Sequence, residues 1–108
     1  MAEYEKTLEH YKSVGRAIEA AEMDLQREKD LRRRQQEELV RLTTETDRAA
    51  LEGNSRGLSE WKRRAKDMER EIAITDEEVA RASDKIKALH KEYLSLEASL
   101  SKHSPEGA

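Results

Sequence analysis

A chain of 108 residues that is 42% charged and only 35% hydrophobic lies far from the globular average of roughly half apolar and a quarter charged, and it cannot wrap a thick core. With no Phe, one Trp, one Pro and four Gly, it also lacks the usual makings of sheets and aromatic cores, whereas abundant Ala, Glu, Lys, Leu and Arg are the material of long helices. A net charge of -3 exerts no global pull on nucleic acid or acidic lipid, and the absence of Cys excludes a disulfide framework and a thiolate site.

Residues 1–12 are charged from the third position and contain no apolar run, so neither a signal peptide nor a membrane span is expected there, and a cytoplasmic location is the default. Over the first half, Tyr4, Thr7, Tyr11, Val14, Ile18, Ala21 and Leu25 follow one another in 3,4 spacing, and the phase returns at Leu39, Leu42, Thr46 and Ala49. The positions between, Glu28, Arg32 and Gln35, are polar, yet Leu25 and Leu39 stand two heptads apart. One helix over about 3–51 follows. Its weak point is 42–47, Leu-Thr-Thr-Glu-Thr-Asp, whose side chains offer capping chemistry that competes with a continuous helix.

Residues 53–57, Gly-Asn-Ser-Arg-Gly, are the only cluster of turn formers. Gly53 suits a helix C′ position of positive φ, and Asn54 or Ser55 suits the N-cap of a following helix, so a turn is expected over 53–57. From Leu58 the seam is unbroken: Leu58, Trp61, Ala65, Met68, Ile72, Thr75, Val79, Ala82, Ile86, Leu89, Tyr93, Leu96 and Leu100, with Thr75 its only frankly polar member. About six heptads exceed what chance spacing produces, and they predict a second helix over about 58–102. The tail 103–108, with Pro105 and Gly107, carries no seam residue and is expected to fray.

Two helices joined by a short turn fold back on one another. The predicted fold is therefore all-α, an antiparallel two-helix coiled-coil hairpin in a single domain. Pairing residues whose numbers add to about 107 places large seam residues against small ones, such as Leu42 by Ala65 and Ala21 by Ile86, and sets Tyr11 by Leu96. The same register sets the polar Glu28, Arg32 and Gln35 beside Val79, Thr75 and Ile72. That polar layer serves either as a register device or as a flexible joint.

Such a hairpin offers no concave, dry site for catalysis. His10, His90 and His103 lack the i,i+4 spacing of helical metal sites, and Gly53 to Gly57 is not followed by the Lys-Ser/Thr of a phosphate loop. No catalytic residue, metal or cofactor is expected. The basic residues Arg33, Arg34, Arg41, Lys62, Arg63 and Arg64 are candidate contacts for a partner or for phosphates, and Arg27, Arg34, Arg41 and Arg48 recur at heptad intervals. Acidic neighbours one turn away, such as Asp30 and Glu38 around Arg34, offer ordinary surface ion pairs instead. Residues 53–70 carry six basic side chains against three acidic, a net +3, which predicts a basic turn end suited to an acidic partner surface.

Apolar residues off the seam, Leu8, Met23, Leu31, Val40, Leu51, Ile74 and Leu94, are scattered singly. A lone two-helix hairpin still exposes its seam edges, so a homodimer forming a four-helix bundle, or another helical protein laid along it, is the expected completion. The residues thus point to a non-enzymatic scaffold, adaptor or assembly factor acting through helix-to-helix contacts. The seam residues Leu58, Trp61, Met68, Ile72, Val79, Ile86, Leu89, Tyr93, Leu96, Ile18, Leu25, Leu39 and Leu42 would do that work. The alternative is an accessory nucleic-acid-binding protein using the arginine and lysine stripe.

Overall fold

The computed structural model of the chain describes residues 2–103, and these form two helices, α1 (Ala2–Leu51) and α2 (Ser55–His103), in an all-α hairpin with no strand among the described residues. The first turn of α1 carries Glu3 and Glu5 and its last turn Arg48, charges that complement the helix dipole at each end. The Thr-rich stretch does not interrupt α1. Thr43, Thr44 and Thr46 donate their hydroxyls to the carbonyls of Leu39, Val40 and Leu42, one turn back at 2.8–3.0 Å. Their polar groups are satisfied inside the helix rather than used as caps.

The connection is shorter than the predicted 53–57: only residues 52–54 lie outside the helices. Gly53 has φ 69°, its N–H donates to the carbonyl of Ala50, and the N–H of Asn54 donates to that of Ala49. Those are the two bonds of a Schellman motif, which satisfies the last carbonyls of α1. Asn54 then caps α2: its Oδ1 accepts from the N–H of Gly57 at 2.9 Å, and its carbonyl accepts from the N–H of Leu58 at 2.8 Å. Because the cap is Asn54, Ser55, Arg56 and Gly57 belong to the first turn of α2. At the other end α2 continues through His103, and the remaining predicted fray, 104–108, lies outside the described residues. Gly53→Ala should cost about 1–2 kcal/mol, because a Cβ is strained at that positive φ even though nothing stands within 4 Å of it. Urea unfolding followed by circular dichroism would measure this loss.

The described chain comprises two units, one of residues 27–80 around the turn and one of residues 2–26 with 81–103. Within each, the seam positions of both helices are buried or half-buried, while Met23, Val40, Leu51, Ile74 and Leu94 are more than half exposed. Leu42, Ala49, Ile72 and Thr75 form the buried core of the turn-containing unit, and Val14, Ile18 and Ala21 that of the other. No side chain among them is less than 2% exposed.

Candidate interaction surface

The seam is where the structure concentrates both apolar burial and unusual polarity. In the unit 27–80, Thr75 is the most deeply buried polar residue, and its hydroxyl donates to the carbonyl of Glu71 at 3.1 Å. Across from it Arg32 occupies a seam position of α1 and turns its guanidinium to one edge. There Nε donates to Asp76 Oδ1 at 2.7 Å and Nη1 donates to Gln36 Oε1 at 3.0 Å. Gln36 follows Gln35 and Asp76 follows Thr75, so both partners stand one residue past a seam position on the same edge. The amide oxygen of Gln35 is buried and has no hydrogen-bond partner among the described residues.

Near the turn, Trp61 is half-buried on the seam, with the guanidinium of Arg64 4.9 Å and that of Arg41 5.9 Å from its ring centroid. These are cation–π distances. The same arginines are engaged by carboxylates. Arg41 donates to both oxygens of Glu38, Arg64 to Glu60, and Arg63 to Glu60 and Asp67. Hydrogen bonds from Arg41 hold Glu38 below the usual carboxylate range, and those from Arg63 and Arg64 do the same to Glu60. Arg33 pairs with Glu37 at 3.0 Å. Of the six predicted basic contacts, only Arg34 and Lys62 are exposed without an ion pair among the described residues.

The predicted basic turn end is corrected by the fold. The hairpin lays residues 37–52 beside 53–70, and the former carry Arg41 and Arg48 against Glu37, Glu38, Glu45, Asp47 and Glu52, a net -3. That cancels the +3 of 53–70, so the turn end is electrically neutral. A count along one helix misses this because it leaves out the neighbouring helix.

In the unit formed by 2–26 and 81–103, the rings of Tyr11 and Tyr93 stack with centroids 4.4 Å apart and an interplanar angle of 19°. Tyr11 thus stacks on the seam residue one position nearer the turn than Leu96, the residue that the predicted register sets beside it. Gly15 lies against the Tyr93 ring, where an added Cβ would meet Tyr93 Cε2 at 3.4 Å, an ordinary contact distance. His10 Nε2 and Glu92 Oε1, 2.7 Å apart, make a second cross-helix hydrogen bond. Spacing alone suggests none of these polar pairings, although His10 and Glu92 flank the two tyrosines.

The hydrogen bond with Tyr93 is the main cause that pushes Tyr11 up from 10 to about 12, with desolvation and the Glu97 carboxylate adding to it. A phenol whose pKa is higher folded than unfolded stabilises the fold below pH 10 and loses that contribution as pH rises through 12. The wild-type chain is therefore expected to lose stability relative to Tyr11→Phe between pH 10 and pH 12. Urea midpoints of the two proteins across that range would show it as a narrowing difference.

Among the described residues no group of three or more His, Asp or Glu could hold a metal ion, and no helix is long and apolar enough to cross a membrane. Compared with known protein families, characterised proteins and solved structures, this chain matches none.

Proposed function

We propose that this chain is a non-enzymatic coiled-coil scaffold, adaptor or assembly factor, working in the cytoplasm without membrane attachment, and that two hairpins associate as a four-helix bundle or receive a helix of another protein. The observation that carries this reading is the state of the seam. It runs the length of both helices, yet most of its residues are only half-buried in the single hairpin. Apolar surface held at a regular heptad spacing and left partly open is what a further helix covers. Light scattering of the purified chain tests self-association directly. A dimer mass supports the bundle, and a monomer at all concentrations directs the seam to a different protein.

The alternative, an accessory nucleic-acid binder, draws on Arg34 and Lys62 but finds Arg33, Arg41, Arg63 and Arg64 committed to carboxylates. Phosphate binding would have to break those pairs. No measurable binding of labelled DNA or RNA is expected even at about 50 mM salt, where electrostatic binding is strongest. Tight binding that weakens steeply with added salt would replace the scaffold reading.

A further inference from the structure

The chain has three tyrosines, Tyr4, Tyr11 and Tyr93, and two of them are held face to face. Tyr11 comes from α1 and Tyr93 from α2, and in the unit formed by 2–26 and 81–103 their rings stack with centroids 4.4 Å apart and 19° between the planes. At that distance the two aromatic faces are in contact. Rings that stack while their hydroxyls share a hydrogen bond are oriented alike, so the Cε carbons of one, next to its hydroxyl, lie beside those of the other. The Glu97 carboxylate, one turn beyond Tyr93 on α2, also interacts with the Tyr11 hydroxyl. Both tyrosines are half-buried, which leaves part of the pair within reach of solvent.

We propose that Tyr11 and Tyr93 form an oxidative cross-linking site, at which a one-electron oxidant of the peroxidase class joins the two stacked rings and staples α1 to α2. The staple does not depend on the scaffold reading. Because Tyr11 keeps its proton up to about pH 12, at neutral pH its electron leaves together with a proton, and a carboxylate at hand accepts that proton. Each phenol gives one electron to the oxidant and its hydroxyl proton to a base, Tyr11 to Glu97 and Tyr93 to water, and becomes a neutral phenoxyl radical. The unpaired electron of a phenoxyl is shared with the carbons next to the oxygen. One Cε of each ring contributes that electron to a new bond between the rings. The hydrogen on each of those carbons then moves to the oxygen of its own ring, which restores two phenols. The chain loses two hydrogen atoms in all, and one hydrogen peroxide, reduced by the peroxidase to two waters, takes them up.

Proximity favours this coupling over every other that the chain offers. Groups held in contact react at effective concentrations of about molar and above, whereas a tyrosine on another molecule is present at about 10 μM in a dilute solution. Tyr4 precedes Tyr11 by one heptad, about 10 Å along α1, and so stands away from the stack.

The full chain, treated at about 10 μM with a peroxidase and one equivalent of hydrogen peroxide, tests the site. The expected product is a monomer lighter by two hydrogen atoms, with dityrosine fluorescence and a tryptic peptide pair joined through Tyr11 and Tyr93. Its share among the cross-linked species should stay constant on tenfold dilution. Tyr11→Phe and Tyr93→Phe each keep the stacked ring and delete only the hydroxyl, so the fold persists, and each should lower the yield of this product at least tenfold. Tyr4→Phe should leave the yield unchanged. A link that ties two distant parts of the chain restricts the unfolded state, so the stapled protein should unfold at a higher urea concentration than the untreated one. Cross-links only between molecules, no cross-link at all, or an internal link that survives Tyr11→Phe would overturn the site. An internal link that leaves the urea midpoint where it was overturns its role as a staple.

Discussion

Leu42→Ala is expected to lower the stability of the hairpin by about 2–3 kcal/mol. Leu42 is 4% exposed and belongs to the small core of the turn-containing unit, with Ala49, Ile72 and Thr75. Truncating it removes apolar transfer energy and leaves a void that the remaining side chains cannot fill. The cost lies at the low end of the range for Leu→Ala because no core side chain among the described residues is below 2% exposed, so water can reach part of the void. With roughly 4–8 °C per kcal/mol for a domain of this size, thermal unfolding by circular dichroism should shift down by about 10–20 °C. Val40→Ala is the control. Val40 is 57% exposed, and its truncation should move stability by no more than about 0.5 kcal/mol. A Leu42 variant that melts with the Val40 variant would mean that the two helices do not pack through this seam.

The second large effect runs in the opposite direction. Arg32→Leu should raise stability by about 1–2 kcal/mol, although it deletes a 2.7 Å ion pair with Asp76. The Arg32 side chain is 32% exposed and that of Asp76 57%, so solvent screens the pair and its net worth is small. Leucine at the same seam position would bury apolar surface beside Ile72 and Val79 without desolvating a charge. A marked loss of stability would show that the polar layer holds the hairpin together rather than selecting its register.

Much of the fold is legible in the residues themselves. The 3,4 spacing from Leu58 to Leu100 marks the inward face of α2, and the weaker spacing from Tyr4 to Ala49 marks that of α1 through its polar interval. Gly53 announces the chain reversal because few other residues accept its φ. The length of the turn is less legible. Asn54 and Ser55 both have cap chemistry, and only the bond from the Gly57 N–H to Asn54 Oδ1 shows which one starts α2.

What the sequence determined by itself, then, is the periodic part: helix type, the face each helix buries, and the place where the chain turns back. These depend on neighbours within a few residues, and a repeating pattern states them many times over. The tertiary structure alone decided which side chains meet across the seam. It set Arg32 on Asp76, Tyr11 on Tyr93 and His10 on Glu92, and it brought the acidic 37–52 against the basic 53–70 so that their charges cancel. A heptad pattern repeats every seven residues and so leaves the relative slide of two helices degenerate, whereas each polar pairing depends on that slide to within a residue or two.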